Sequence, residues 1–288
     1  MIENVTSTET YLYHYTKAKT ALDDILQKRL LCLGSYSKTN DPKESKSWEF
    51  DLGSNGGCDL GKYNTIETSS WLSSELKLRA KLACFSMDRA PLTGNHLADV
   101  HNRGFCKPRM WTQYSVDPKD VERRLGVCLV FDQQKLLAQV KSQVGSNSLV
   151  IAGPIRYMDR GMVRGLEDHE YMIDVDALES LGKAAYVNLH MRKHYGSLFF
   201  EKMLDWRDES EWRIVVFSNS GNELHIRLED TLVGIMFGEN TDEEMTQRIM
   251  ALTNSWGIQY MGLKWKNSSP WYDYNTFRFM PSIKNLSL

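Results

Sequence analysis

The chain has 288 residues, of which 42% are hydrophobic and 25% are charged, so it is long enough to bury a sizeable core and has an ordinary globular composition. Its net charge of −2 provides no broad positive field for nucleic acid or for an acidic membrane. Its five cysteines are widely spaced and lack a C-x-x-C pair, which argues against a disulfide framework and against a zinc ribbon.

The sequence also predicts a cytoplasmic location and no membrane partner. The first residues contain neither the basic nor the apolar segment of a secretory leader. No stretch of about 18 uncharged apolar residues occurs along the chain. An odd number of separated cysteines fits reduced thiols in the cytoplasm.

The first half of the chain alternates short periodic segments with long irregular ones. We predict strands at 11–15, 30–33 and 76–86, a helix at 18–26, and long loops at 34–62 and 89–109. The strand at 76–86 has the clearest alternation, because apolar residues from Leu76 to Cys84 are separated by Lys77, Arg79 and Lys81.

The second half is richer in predicted strands. We predict strands at 126–131, 150–157, 209–216, 223–228, 232–237, 258–265 and 277–280, and helices at 133–144, 176–203 and 242–256. The helix at 176–203 is expected to break at Gly196. Because the strands outnumber the helices and do not alternate with them regularly, the pattern favours an α+β fold with a mainly antiparallel sheet.

The most informative short segment is Glu209–Val216, where two carboxylates precede a β-branched run. In a strand, Glu209, Glu211 and Arg213 would share one face, while Trp212 and its alternate neighbours would point to the other. Adjacent carboxylates raise each other's proton affinity, so such a pair indicates a partner or a function. The alternative is a surface ladder of charges in which Arg213 is only a partner.

Other chemical motifs favour structural interpretations. The sequence lacks G-x-G-x-x-G, G-x-x-x-x-G-K-[ST] and G-x-S-x-G, the patterns of Rossmann, P-loop and hydrolase-elbow sites. His190 and His194 are four residues apart, but the pair lacks the glutamate of H-E-x-x-H, and we predict no metal site. Cys84 and Cys106 are expected to be buried, inert thiols. Taken alone, Asn40-Asp41-Pro42 predicts only a turn.

Five short blocks, taken in order, resemble a bacterial family called domain of unknown function 2971, over roughly residues 11 to 240. The blocks are Leu12-Tyr13-His14-Tyr15-Thr16, Asn40-Asp41-Pro42, Cys84-Phe85-Ser86, Met110-Trp111-x-x-Tyr114 and Trp206-x-x-Glu209-x-Glu211-Trp212-Arg213. That family is in turn similar to the ADP-ribosyltransferase superfamily. The superfamily pattern is a histidine or arginine on the first strand, an aromatic residue or serine on a middle strand, and a late glutamate, commonly as E-x-E.

The resemblance implies a fold and a reaction. The fold is a single domain over 1–288, with a split, mainly antiparallel β-sheet core and peripheral helices. NAD is the substrate, no metal is needed, and the bond between nicotinamide and ribose breaks through a centre like an oxocarbenium ion. Glu211 would stabilise the positive charge and bind a ribose hydroxyl. Glu209 would orient or deprotonate the acceptor nucleophile.

The resemblance also implies a set of NAD-binding residues. His14 would hold the adenosine-side ribose, with Thr16 on the same strand face. Tyr114 or Tyr15 would stack on the nicotinamide ring. Ser86 would orient Glu211, and either Ser86 or Tyr114 supplies the middle-strand residue of the pattern. Arg213 completes the set beside Glu211.

Three functions follow as hypotheses. The leading one is an NAD-dependent mono-ADP-ribosyltransferase that modifies an intracellular protein or nucleic acid, in the role of a toxin or a phage-defence effector. The second keeps the same site but uses water as the acceptor, which makes an NAD glycohydrolase. The third is a non-catalytic binding module in which the Glu209, Glu211 and Arg213 ladder is structural and the loop at 34–62 recognises a partner.

Overall fold

The computed structural model describes the larger part of the chain. The described residues are 11–39, 41–93, 96–114, 126–145, 148–159, 169–219, 221–267 and 269–272. Within them, no helix combines the length and the hydropathy needed to cross a bilayer.

Helices and strands are interspersed along the chain. The elements up to residue 143 are β1 (Tyr11–Lys17), α1 (Ala18–Thr20), a π-helical segment (Ala21–Leu26), β2 (Leu30–Ser35), α2 (Pro42–Ser45), β3 (Asp51–Gly53), α3 (Thr65–Arg79), β4 (Ala80–Ser86), α4 (His96–Asp99), α5 (Pro108–Tyr114), β5 (Gly126–Asp132) and α6 (Gln133–Gln143). Those that follow are β6 (Leu149–Pro154), β7 (Arg156–Tyr157), β8 (Met172–Asp174), α7 (Val175–Leu181), α8 (Lys183–Phe199), β9 (Glu201–Lys202), a 3₁₀ turn (Leu204–Glu209), β10 (Glu211–Phe217), β11 (Leu224–Arg227), β12 (Leu232–Phe237), α9 (Glu243–Thr253), β13 (Gln259–Lys266) and β14 (Ser269–Tyr272).

One large sheet organises these elements. Its main path runs in the order β11-β2-β4-β1-β5-β12-β13-β14, while β10 pairs with β4 and with β6 off this path. The pairs are antiparallel except β12 with β13, and two small parallel pairs, β3 with β8 and β7 with β9, lie outside it. The predicted α+β class with a mainly antiparallel sheet is therefore confirmed.

Strands β1 and β4 meet at one point and then separate. Tyr13 of β1 is opposite Ser86 of β4, whereas Leu82 and Lys81 of β4 are opposite residues of β2. Between these points, 83–85 pair with β10 on one edge and with no described strand on the other. Because a backbone edge without a strand partner is open to side chains and ligands, this separation is where a cleft can form.

Period-two alternation sorts the side chains of β10 as the sequence predicts. Trp212, Ile214 and Val216 lie in one hydrophobic cluster with the π-helical segment and α6. Val215 lies in a second cluster, which packs against α3 and α8. Glu211 and Arg213 are on the second face, so their charges lie on the opposite side from Trp212.

The predicted strand at 76–86 is wrong over its first four residues, which end α3. The Asn64 side chain accepts hydrogen bonds from the backbone N–H groups of Ile66 and Glu67 and so begins the helix. Leu72 and Leu76, one turn apart, are fully buried, whereas Leu78 is 51% exposed. The apparent alternation arises because a helix boundary falls inside the pattern, and the strand begins at residue 80.

The predicted helix at 176–203 breaks at Gly182 rather than at Gly196. Gly182 has a φ of 76°, which glycine adopts at little cost, and it separates α7 from α8. Gly196 lies inside α8, which ends at Phe199. The remaining predicted elements lie within a few residues of their expected positions, except the strand at 277–280, which is outside the described residues.

The predicted loop at 34–62 has more structure than expected. It contains α2, β3 and short 3₁₀ turns, and the predicted loop at 89–109 likewise contains α4 and the 3₁₀ turn Val100–Asn102. The turn at Asp41-Pro42 is confirmed, because the Asp41 side chain accepts a hydrogen bond from the Lys43 backbone N–H and Pro42 is the first residue of α2. Asn40 lies outside the described residues.

Candidate functional site

A cavity of about 230 Å³ lies where β1 and β4 separate, and we call it the β1–β4 cavity. It is lined by Tyr13, His14 and Tyr15 of β1, Leu82 to Phe85 of β4, Cys32, Lys38, Thr39, Asp41, Glu44, Met110, Tyr114, Lys202, Trp206, Glu209 and Glu211. The structure thus brings the predicted His14, Tyr15, Tyr114, Glu209 and Glu211 to one cavity. Ser86, Thr16 and Arg213 are not among its lining residues.

The two glutamates reach the cavity by different routes. Glu211 is the first residue of β10, whereas Glu209 ends the 3₁₀ turn Leu204–Glu209. Ser210 lies between them with a φ of 46°, in the left-handed region. The prediction that Glu209 belongs to the strand is therefore wrong, and a turn rather than strand alternation places it beside Glu211.

Ser86 holds this turn through the backbone. Its Oγ donates a hydrogen bond to the Glu209 carbonyl at 2.8 Å, and the Met87 N–H donates to the Ser210 carbonyl at 2.8 Å. The expected contact between Ser86 and the Glu211 carboxylate is not the one observed. Ser86 therefore positions the segment that carries both glutamates, from its pairing position opposite Glu211.

Two buried cations hold the glutamate carboxylates. Lys202 Nζ lies 2.8 Å from Glu209 Oε2 and 2.7 Å from Glu211 Oε2. Arg213 approaches Glu211 Oε1 with its Nε at 2.7 Å and with a terminal nitrogen at 2.6 Å. Its other terminal nitrogen lies 2.7 Å from Glu44 Oε1. A continuous network of ion pairs therefore connects Glu44 to Glu209.

The network pushes the pKa values of the two glutamates in opposite directions. Burial alone would raise the pKa of Glu211, but the Arg213 and Lys202 charges outweigh it and lower that pKa. Burial raises the pKa of Glu209, and Lys202 offsets this only in part. Burial would lower the pKa of Lys202, but the surrounding carboxylates raise it, so the ammonium remains charged. Neighbouring carboxyl groups with separated pKa values are typical of acid–base sites.

His14 is held by the open edge of β4. Its Nδ1 lies 3.0 Å from the Cys84 carbonyl oxygen, and its ring packs against Phe85 with centroids 5.7 Å apart. Because a carbonyl oxygen only accepts, Nδ1 carries the proton. Burial lowers the pKa of His14, which keeps the ring neutral near pH 7 and leaves the Nε2 lone pair available.

The two candidate tyrosines differ in what they contact. The Tyr114 hydroxyl donates to Glu209 Oε1 at 3.2 Å, and burial raises the pKa of Tyr114, which keeps it a neutral donor. The Tyr15 hydroxyl donates to the Gly104 carbonyl at 2.7 Å, and its ring meets the edge of Trp111. Tyr114 therefore contacts the acidic pair directly, while Tyr15 anchors the wall behind it.

Thr16 and Arg213 have roles other than lining the cavity. Thr16 is buried on β1 opposite Val127 of β5. Arg213 is fully buried beneath Glu211, and one of its terminal nitrogens also donates to the Phe199 carbonyl at 2.7 Å. Arg213 is thus a partner of Glu211 rather than a residue that reaches a ligand.

Sequence reasoning missed several members of the site. Lys202 follows α8 as a single lysine on a two-residue strand, with no motif around it. Glu44 lies in the predicted loop at 34–62 and belongs to no motif, and Asp41 was predicted only as part of a turn and of a sequence block, without a place in the site. The Tyr157 hydroxyl accepts a hydrogen bond from the Glu211 backbone N–H at 2.7 Å, across a long separation in sequence. These contacts arise from tertiary packing, and local periodicity carries no signal for them.

The remaining chemical candidates are two histidines and two cysteines, and their surroundings favour structural roles. His190 Nε2 is 3.0 Å from the Glu170 carbonyl and its Nδ1 is 3.4 Å from the Tyr186 hydroxyl, so both ring nitrogens have partners. Cys84 lines the β1–β4 cavity, but burial raises the pKa of its thiol well above the usual value, which favours the inert form. Cys106 is buried in the cluster around Tyr13.

In the part of the chain that the structure describes, one group of side chains has the composition of a metal site. Ligand-type atoms of Cys32, Glu223 and His225 lie within 4.8 Å of one another. Glu223 already forms an ion pair with Lys38 at 2.7 Å, and Cys32 is exposed. Residues 190 and 194 are not part of this group.

Comparison with known protein families identifies the segment that carries the acidic pair. Residues 110–214 match the model of the family described as "Protein of unknown function (DUF2971)". The matched segment contains Tyr114, Lys202, Glu209, Glu211 and Arg213, while the β1 and β4 residues of the cavity precede it. The predicted resemblance to this family is confirmed over the matched residues. The comparisons with curated proteins and with solved structures gave no match.

Proposed function

We propose that this protein is an NAD-dependent mono-ADP-ribosyltransferase that modifies an intracellular protein or nucleic acid. The observation that supports the proposal is that an early imidazole, His14, and a late ionised carboxylate, Glu211, line one cavity between β1 and β4. They are 197 residues apart in the sequence, and the separation of the two strands would give both of them access to one bound molecule.

Glu211 has the properties that cleavage of a glycosidic bond requires. The C1′–N bond of NAD breaks with its electron pair going to the nicotinamide nitrogen, which leaves as neutral nicotinamide and leaves positive charge on the ribose. The lowered pKa of Glu211 keeps a negative charge beside that position. Lys202 and Arg213 fix its carboxylate, and Glu211 Oε2 retains a lone pair that can accept a ribose hydroxyl.

Glu209 is suited to the acceptor step. Its carboxylate is held by Lys202 and by the Tyr114 hydroxyl, and its pKa is raised by burial, which makes it the stronger base of the pair. When an acceptor oxygen or nitrogen attacks C1′, its proton is transferred to Glu209. The new bond joins the acceptor to ADP-ribose, so one NAD gives one nicotinamide and one modified acceptor.

His14 and Tyr114 complete the binding site. The Nε2 of His14 can accept a hydrogen bond from a ribose hydroxyl, because the ring proton is on Nδ1, which donates to the Cys84 carbonyl. Tyr114 lines the same cavity and offers a ring face for the nicotinamide. These assignments follow the ADP-ribosyltransferase pattern, which consists of an early histidine, a middle aromatic residue and a late E-x-E.

The products formed from labelled NAD test the proposal. The full-length protein is incubated with NAD labelled on the adenine moiety, with and without a cell lysate, and the label is followed into macromolecules and into free ADP-ribose. We expect label bound to a macromolecule together with equimolar nicotinamide. Label only in free ADP-ribose would support the NAD glycohydrolase instead.

The binding-module hypothesis gives a different result in a thermal shift assay. A ligand that binds only the folded state raises the melting temperature once its concentration exceeds Kd. We expect a rise with millimolar NAD. No rise, together with no nicotinamide release, would contradict both NAD-consuming functions.

A further inference from the structure

One wall of the β1–β4 cavity carries polar atoms with no hydrogen-bond partner among the described residues. The atoms are Thr39 Oγ1, Asp41 Oδ2 and Glu44 Oε2, all in a short segment before and within α2. The side chains of Asp41 and Glu44 are only 2% and 1% exposed. Buried carboxylate oxygens without donors are costly, so a native cavity that has them is expected to receive donors from a ligand.

The geometry of this wall is fixed by the other oxygen of each carboxylate. Asp41 Oδ1 accepts a hydrogen bond from the Lys43 backbone N–H at 2.9 Å. Glu44 Oε1 pairs with Arg213 at 2.7 Å. Each side chain is therefore anchored on one side, while its second oxygen has no hydrogen-bond donor among the described residues, and both residues line the cavity.

The charges around the cavity favour a cationic group. Four carboxylates line it, those of Asp41, Glu44, Glu209 and Glu211, whereas Lys202 is the buried cation among its lining residues. Lys38 also lines the cavity but is 71% exposed and pairs with Glu223. Arg213 adds one further buried positive charge next to Glu44 and Glu211. Lys77 is also buried, and its ammonium donates to the Glu44 backbone carbonyl at 2.7 Å. The four carboxylates still outnumber these three buried cations.

We propose that Asp41 and Glu44 form the subsite for the nicotinamide end of NAD⁺. This inference rests on the proposed function. The ring carries a positive charge and its carboxamide has two N–H donors, which match the two unpartnered carboxylate oxygens. Arg213 contacts both Glu44 and Glu211, so the subsite adjoins the carboxylate that faces the breaking bond. The attraction between the two carboxylates and the ring decreases when the C1′–N bond breaks, because nicotinamide is then neutral.

The charge of the ring gives a direct test, because NADH has the same shape at the ADP-ribose end but an uncharged dihydronicotinamide. Dissociation constants of NAD⁺, NADH and ADP-ribose are measured by calorimetry on full-length Glu211→Gln protein, in which NAD⁺ is expected to remain intact. The Glu211→Gln protein is the parent for this test, and we expect it to bind NAD⁺ about tenfold more tightly than NADH. Adding Asp41→Asn should reduce the ratio to about twofold and leave the ADP-ribose constant unchanged.

Asp59 provides a matched control, because it has the same hydrogen bond to the backbone as Asp41 but does not line the cavity. The Asp59 side chain accepts a hydrogen bond from the Gly61 backbone N–H, as Asp41 does from Lys43, but Asp59 is exposed. Asp59→Asn should leave all three constants unchanged. If Asp41→Asn does not fold, Glu44→Gln replaces it, with the same expected loss of preference.

The outcomes separate this inference from the proposed function. If the parent binds NAD⁺ and NADH equally, or if Asp41→Asn weakens ADP-ribose as much as NAD⁺, the subsite assignment is wrong while the NAD site remains. If the parent binds none of the three, both the subsite and the proposed function are wrong.

Discussion

Lys202 is the buried ammonium that pairs with both Glu209 and Glu211. Removing it tests whether a single positive charge holds the two carboxylates together. Lys202→Met leaves Glu209 without its nearest positive charge. Because an uncompensated buried charge is costly, we expect a loss of about 3–5 kcal/mol in the free energy of unfolding, measured by urea denaturation at pH 7. The loss should be smaller at acid pH, since Glu209 can then take up a proton in the folded state.

The control for this prediction is Lys135→Met. Lys135 pairs with Asp230 at 2.8 Å, but both side chains are about half exposed or more. Water replaces such a partner, so the free energy of unfolding should hardly change. Equal losses in the two variants would show that the ammonium of Lys202 does not hold the acidic pair.

At this scale the sequence predicts residues that line the cavity but not the residues that hold them in place. His14, Tyr114, Glu209 and Glu211 belong to short blocks with recognisable order, and the structure places all four in one cavity. Lys202 shows no pattern of its own. The contact expected between Ser86 and Glu211 is instead a hydrogen bond to the Glu209 backbone, which depends on a turn that strand periodicity does not predict.

At the scale of elements, the helix α8 contains a buried histidine that makes stability depend on pH. Burial, and then the neighbouring His194, lower the pKa of His190 from 6.5 to about 4. In the unfolded chain His190 takes up a proton near pH 6.5, so between pH 6.5 and 4 the unfolded state binds more protons. Stability from this group is complete above pH 6.5 and decreases as the pH falls toward 4.

We therefore expect His190→Gln to flatten the dependence of stability on pH. Between pH 7 and pH 4, the variant should lose about 3 kcal/mol less free energy of unfolding than the parent chain, measured by urea denaturation. His101→Gln, at an exposed position, serves as the control and should keep the parent slope. An unchanged slope in His190→Gln would mean that another group dominates the acid response.

The sequence predicted the boundaries of an element correctly where a single hydrophobic pattern covers that element. It missed them where the pattern continues from one element into the next. The strand β5 is a continuous apolar run and was predicted to within one residue. Around residue 80, apolar and charged residues alternate across the end of α3 and the start of β4, so the sequence pattern does not show where the helix ends. Burial shows it, because Leu78 is exposed and Lys77 is buried, the reverse of what a strand at 76–86 predicts. The break at Gly182 was missed because apolar spacing continues across it, while its positive φ appears only in the structure.

At the scale of the whole molecule, the candidate site depends on the separation of β1 from β4. The pairing of Tyr13 with Ser86 joins strands that are far apart in sequence, and no local pattern predicts where that pairing stops. The α+β class follows from the number and spacing of the strands, but the cavity follows from their order in the sheet. The order of the sequence blocks was the indication that β1 and the Glu209–Glu211 segment meet.

The most direct test of the central claim is the rate of nicotinamide release from NAD by full-length protein carrying Glu211→Gln. The substitution removes the negative charge beside the ribose but keeps the size of the side chain. We expect kcat/KM to fall at least about 100-fold relative to the parent chain, because charge stabilisation at the reacting centre is lost. The exposed Glu67→Gln control on α3 should retain the parent rate. A Glu211→Gln protein that releases nicotinamide as fast as the parent chain would contradict the claim.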